Sequence, residues 1–223
     1  MASWGQAQTA GTQPPEPRNI VQLSASATVE VPQDWLTLTL STSRDGSDAA
    51  VIQSQLKQAL DEALTVARRQ AQAGQLDVHT GNFQLSPRYS REGAITGWRG
   101  TAELVLEGRD FGRIATLAGN IPALTVSDAQ FSLSRASHSQ VEVQVQATAI
   151  ERFKAKAGEI AKGFGFATFA LREVSINGNE QGPSPRPRLM AMQAKSALAD
   201  APVPVEAGTS AVVVNVSGSV QLQ

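Results

Sequence analysis

His79 and His138 are the only imidazoles in this chain, and it contains no cysteine. Without thiolates there are no zinc–sulfur sites, thiol nucleophiles or disulfides. A metal site would need carboxylates gathered around one of the two rings, and neither histidine sits in a run of Asp and Glu. We therefore read both histidines as structural or surface residues and expect no metal and no cofactor. Serines are plentiful, but no Gly-x-Ser-x-Gly elbow exposes one as a nucleophile. The glycine cluster Gly163-Phe164-Gly165-Phe166 follows a helical pattern instead of opening one, which suits a helix stop better than a phosphate cradle. Asp61 and Glu62 are adjacent on a helical pattern and so diverge, while Glu103 and Glu107 fall on the polar side of a strand pattern.

Two groups of residues remain. Arg88, Arg91, Arg99 and Arg109 flank one predicted hairpin, with Glu92 and Glu103 among them. They form either an anion-attracting patch or an ordinary charged surface. Trp98 lies beside Gly97 and near Gly100, and Met190 and Met192 lie in a proline-rich stretch. Trp and Met are enriched in interface cores, so Trp98, Arg88, Arg99, Pro87, Met190 and Met192 are the candidate interaction surface. The competing role for Trp98 is the core. The segment Pro183-Ser-Pro185-Arg-Pro187-Arg188 suits a spacer or a polyproline II ligand.

The composition narrows the class. Nineteen basic and twenty acidic residues give a net charge of −1, which argues against a general nucleic-acid binder, since that needs a surplus of Lys and Arg against phosphate. Hydrophobic residues make up 41% of the chain but aromatics only 5%, so the core is built from Ala, Val and Leu. No run approaches the roughly 18 apolar residues of a membrane-spanning helix. The first residues, Met1-Ala-Ser-Trp-Gly-Gln-Ala-Gln, have neither the basic nor the apolar region of a signal peptide. Two readings follow: a cytoplasmic protein, or a mature chain whose signal has been replaced by a start codon.

The elements that must hold these residues follow from periodicity. Residues 1–18 carry Pro14, Pro15 and Pro17 and read as a disordered tail before a domain at 19–223. Alternation from Val21 to Val31 predicts a strand, Pro32-Gln33-Asp34 a turn, and Leu36, Leu38 and Leu40 a returning strand that closes a hairpin. Ser47 is the predicted cap of a helix with Ile52, Leu56, Ala59, Leu60, Ala63 and Ala67 on one face, running toward Gly74. Phe83-x-Leu85-x-Pro87-x-Tyr89, the break at 90–93 and the alternation through Ala102, Leu104 and Leu106 predict a second hairpin, with Pro87 on an edge or at a bulge. Asp110 caps a short helix that ends at Gly119-Asn120, and a strand follows over 124–133. Val141, Val143 and Val145 alternate like a strand, but Ile150, Phe153, Ala157, Ile160 and Ala161 have helical spacing, and Ser139 with Glu142 fits a capping box. The spacing thus predicts a helix over 139–162. A strand around Phe169–Ile176 and a last one with Val212, Val214, Val216, Val220 and Leu222 flank a proline-rich loop at 177–208.

In this order, with Pro32-x-Asp34, Phe83-x-Leu85-x-Pro87-x-Tyr89, Gly97-Trp98-Arg99, the alanine-rich helix through Ala147, Ala155, Ala157 and Ala161, Met190-Ala191-Met192 and Pro204-Val205-Glu206-x-Gly208, the chain resembles the SIMPL-domain family (DUF541), which includes bacterial periplasmic immunogenic proteins. Where that family has glycines in its first strand, this sequence has Ser24-Ala25-Ser26-Ala27. The resemblance implies a periplasmic or secreted protein linked to envelope stress, with members that assemble into rings. It carries over no catalytic residues.

The expected fold is α+β: a single, largely antiparallel sheet with long helices packed on one face, first and last strands both in that sheet. The expected function is non-catalytic, through self-assembly into a homo-oligomer or through a protein partner, with no nucleic acid and no transmembrane helix. The alternatives are a hydrolase using a Ser and the Arg patch, or a monomeric carrier of a small apolar ligand.

Overall fold

The computed structural model describes residues 18–178 and 207–223. In chain order the elements are β1 (Ile20–Pro32), β2 (Trp35–Gly46), α1 (Ala49–Arg68), β3 (Asp77–Tyr89), β4 (Ile95–Gly108), α2 (Phe111–Gly119), β5 (Thr125–Ser132), α3 (Arg135–Gly163), β6 (Phe169–Gly178) and β7 (Thr209–Leu222). The class is α+β, but the single sheet is corrected to two: a four-stranded sheet of order β3-β4-β2-β5 and a three-stranded one of order β1-β7-β6. The first and last strands do share a sheet. They do not share it with β2, so the predicted β1–β2 hairpin is absent.

The reason lies in three residues. Pro32 has no N–H, and the next two amides are claimed by different segments: Gln33 donates to the carbonyl of Gly208 and Asp34 to that of Ser132. Periodicity locates a strand but says nothing about its neighbour. Here the chain leaves one sheet at Pro32 and enters the other at Trp35.

The chain forms two compact units, one from the described residues of Val29–Val141 and Glu180–Val212, the other from those of Met1–Thr28, Glu142–Asn179 and Val213–Gln223. In the first, Leu36, Leu38 and Leu40 of β2 and Leu104 and Leu106 of β4 pack with Ala63, Leu64 and Ala67 of α1 and with Ile114, Leu117 and Ala118 of α2. The two helices thus cover one face of the sheet, as the alternation demands. Asp48, not Ser47, caps α1, accepting from the amide of Ala50 at 2.8 Å. α1 stops at Arg68, about 30 Å long, and Gly74 (φ +72°) serves the tight turn that follows instead of the helix end. The Phe83 hairpin stands as expected: Phe83 faces Ala102, Leu85 faces Gly100 and Pro87 faces Trp98, with β3 on the edge where proline is tolerated.

In the second unit, α3 buries Val145, Ala149, Phe153, Ala157 and Ala161, and β7 buries Val214, Val216, Val220 and Leu222. α3 begins at Arg135, earlier than the Ser139 capping box; Ser134 caps it, with its carbonyl accepting from His138 and its hydroxyl from the amide of Ser137. That cap overrides the strand-like valines, and Val143 is simply left 69% exposed. The helix ends as expected at the glycine cluster. Phe166 donates to Ala161 and Gly165 to Lys162, with Gly165 at φ +81°, a pattern that satisfies the last carbonyls.

Gly218 falls on the buried side of β7, opposite Val174. A β-carbon there would overlap the carbonyl oxygen of Glu173, beside the bulge that leaves Arg172 unopposed on β6. We expect Gly218→Ala to destabilise this unit by about 1–3 kcal/mol through forced strand displacement. Thermal melts check this; a melting temperature equal to that of the wild type would show that β6 gives way without cost.

Expectations about residues 1–17 and most of the proline-rich stretch, including Pro183–Arg188, Met190 and Met192, lie outside the described residues. Within the predicted loop, Asn177 and Gly178 instead complete β6.

Candidate functional site

The predicted interaction surface is positioned by β2, β3 and β4. Their register sets Asp45 opposite Arg99 and Gly46 opposite Trp98. Asp45 accepts from Arg99 Nε at 2.9 Å and from its Nη2 at 3.4 Å, and Arg88 Nη1 lies 3.7 Å from the same carboxylate. The hydrogen bond from Arg99 to Asp45, and then the charge of that carboxylate, raise the guanidinium pKa further. Trp98 is half-buried and packs against Ile52, Leu56 and Ala102. Pro87 is half-buried opposite it. Candidates Arg88, Arg99, Pro87 and Trp98 therefore do come together, but the two arginines share one acidic partner and the indole leans on α1. The exposed apolar groups here were not among the candidates: Phe83 and Tyr89, read only as hairpin residues, and Ile95, at 43%, 62% and 55% exposure. For Phe83 and Tyr89 the signal was the alternation of β3 continued to its end, with one edge side unpaired. Met190 and Met192 lie outside the described residues.

Arg109 leaves this group. It follows β4, whereas Arg99 is near its start, a separation of roughly 30 Å along an extended strand. Its Nη2 donates to the Ser134 hydroxyl at 2.7 Å and lies 3.5 Å from Asp34 Oδ2. The Asp34 carboxylate accepts from the Ser134 amide (2.6 Å), the Ser134 hydroxyl (2.8 Å) and the Ser137 hydroxyl (2.7 Å). Burial pushes the Asp34 pKa up, but hydrogen bonds from the Ser134 amide and the Ser137 and Ser134 hydroxyls, together with the charge of Arg109, outweigh it and hold the carboxyl below its usual range.

Sequence reasoning noted Asp34 only as a turn residue; Ser134-x-x-Ser137 before a helical pattern was the missed signal. Chemically this knot is a helix cap. A carboxylate with a depressed pKa is a weak general base, and Arg109 occupies a lone pair that an attacking Ser134 oxygen would need. The geometry at this knot thus offers no activated serine.

His79 Nδ1 is 3.8 Å from Glu107 Oε1, while the other oxygen of Glu107 accepts from Trp35 Nε1 at 3.4 Å and Thr37 Oγ1 at 3.3 Å. Glu103 accepts from the Asn82 amide at 3.0 Å, and Glu62 from Gln58. Among the described residues no three His, Asp or Glu side chains are placed to share a metal ion. None of the described helices is long and apolar enough to cross a membrane.

One open groove of about 440 Å³ crosses the three-stranded sheet, lined by Gln22 and Ser24 of β1, Ser217 and Ser219 of β7, and Glu173 and Ser175 of β6, with Leu23 and Gly218. Its hydroxyl, amide and carboxylate lining suits an apolar cargo poorly. A search of curated proteins found no match. A family model, that of a protein of unknown function, does match residues 21–220, a span that includes the Pro32-x-Asp34 crossover, both sheets and the closing strand. The chain belongs to the SIMPL family (DUF541).

Proposed function

We propose that this is a non-catalytic protein of the cell envelope, periplasmic or secreted, that works by assembling with copies of itself or with a protein partner, in the service of envelope or oxidative stress. One observation carries the reading. Of the twelve large apolar side chains left exposed among the described residues, eight lie on outer strands, among them Phe83 and Tyr89 on β3, and Leu171, Val174 and Ile176 on β6. Outer strands present unpaired backbone groups, and apolar side chains beside them favour association over solvation. The hairpin around Pro87 and Trp98, with Arg88 and Arg99 anchored by Asp45, is the surface assigned to a protein partner, together with Met190 and Met192.

Light scattering of the purified chain is the test. We expect a mass at a multiple of 23.5 kDa at about tens of micromolar, where a weak assembly is populated by mass action. A mass of one chain at that concentration would remove the self-assembly half of the reading. For location, fractionation of cells expressing the natural gene should place the protein in the periplasmic or secreted fraction; recovery in the cytoplasmic fraction would overturn it.

A further inference from the structure

Of the four outer strands among the described residues, three are blunted. β3 carries Pro87, which has no N–H to offer, and a register shift between Thr80 and Phe83. β5 is only 8 residues long and mostly polar. On β1, the carbonyls of Ser24 and Ser26 accept from Lys156 Nζ at 3.0 Å and Arg152 Nη1 at 2.9 Å, so two cations of α3 hold backbone acceptors that a pairing strand would need. β6 differs. Among the described residues, no strand lies beyond it in the order β1-β7-β6. It has no proline.

β6 also carries an unfinished apolar layer. The bulge at Arg172 shifts the alternation by one residue, so that Phe169, Leu171, Val174 and Ile176 all share one face; opposite them on β7 stand Leu222, Val220, Gly218 and Val216. Those β7 side chains are buried, at 5% exposure or less for the leucine and valines, while Leu171, Val174 and Ile176 on the same face remain 51%, 42% and 40% exposed. At the middle of the strand stand Arg172 and Glu173, both exposed, and neither has an ion-pair partner among the described residues.

We propose that the outer edge of β6 pairs antiparallel with β6 of a second copy, about a two-fold axis between Arg172 and Glu173, joining two three-stranded sheets into one of six strands. This rests on the self-assembly reading above and names its surface. The sequence of β6 selects the register. With the axis between residues 172 and 173, Phe169 faces Ile176 and Leu171 faces Val174, each twice, and each Arg172 faces the other copy's Glu173. All four apolar residues meet apolar partners on the face they already share, and the opposite charges pair. Moving the axis to Ser175 or to Ala170 matches only two of the four apolar residues per copy. A perpendicular two-fold keeps both apolar rows on the same side, where each covers the other's exposed half.

The test uses the absence of cysteine from the chain. Residues directly opposite on antiparallel strands have Cα atoms about 4.5–5.5 Å apart, within disulfide range. The double variant Leu171→Cys/Val174→Cys, oxidised mildly, should therefore run at twice the monomer mass on a non-reducing gel. Each single variant should stay monomeric there, because its cysteine faces Val174 or Leu171 of the other copy. Ala170→Cys/Ser175→Cys tests the same register from the other face and covers the case in which the first pair disturbs folding. If the wild type is oligomeric by light scattering and neither pair cross-links, the β6 edge is wrong and the self-assembly reading stands. A wild type that scatters as a single chain at about tens of micromolar overturns both.

Discussion

A chain ending at Gly208, and so lacking β7, loses cooperative unfolding of the unit that contains Phe153. β7 is the central strand of the three-stranded sheet, and without it β1 and β6 have no neighbour in common. Val212, Val214, Val216, Val220 and Leu222 are each 5% exposed or less. At about 1.5–3 kcal/mol for each fully buried side chain, the strand contributes on the order of 10 kcal/mol, comparable with the whole stability of a typical domain. Thermal unfolding followed by far-ultraviolet circular dichroism is the check. A truncated chain that melts with the amplitude and midpoint of the wild type would show that β7 is dispensable.

Asp34→Ala should be the most damaging exposed-side substitution, costing about 3 kcal/mol. The carboxylate, 32% exposed, accepts three hydrogen bonds and sits beside Arg109. Its loss leaves the α3 amide of Ser134 and two hydroxyls to find new partners. A lost cap costs about 1 kcal/mol, and a hydrogen bond to a charged group about 1.5–3. The pH dependence has a definite sign. Because the folded carboxyl titrates below the ordinary aspartate range, its stabilisation is fully present above the unfolded pKa and is lost as pH falls through the depressed folded pKa. The gap in stability between wild type and Asp34→Ala should therefore be constant near neutrality and shrink in acid. Denaturant melts across that range decide it, and a gap that widened in acid would mean the carboxylate is not what holds the knot.

Much of the architecture could be read from period alone. The alternation of Leu36, Leu38 and Leu40, the helical spacing of Ile52, Leu56 and Ala63, and the Phe83 hairpin each encode a local geometry, and each formed where expected. Partner choice is not a local property. Whether β1 pairs with β2 or β7 depends on two amides after Pro32 whose acceptors, Ser132 and Gly208, lie far away in sequence. For the same reason only the α3 half of the Asp34 knot, Ser134-x-x-Ser137, was legible: its members come from the β1–β2 crossover, the end of β4 and the start of α3. Arg88 and Arg99 were grouped correctly because one hairpin holds both, and Arg109 was misplaced because proximity in sequence was taken for proximity along a strand. The exposure of Leu171, Val174 and Ile176 required knowing that β6 is outermost.

Lys156 and Arg152 on the β1 carbonyls also bear on how far a sheet can grow. A sheet with two receptive edges can add strands at both ends indefinitely, which is the geometry of a fibre. One edge already occupied by the protein's own cations acts as a chain terminator. Any extension then proceeds from the β6 side alone and closes once two such edges meet, so the arrangement favours a finite particle over a filament.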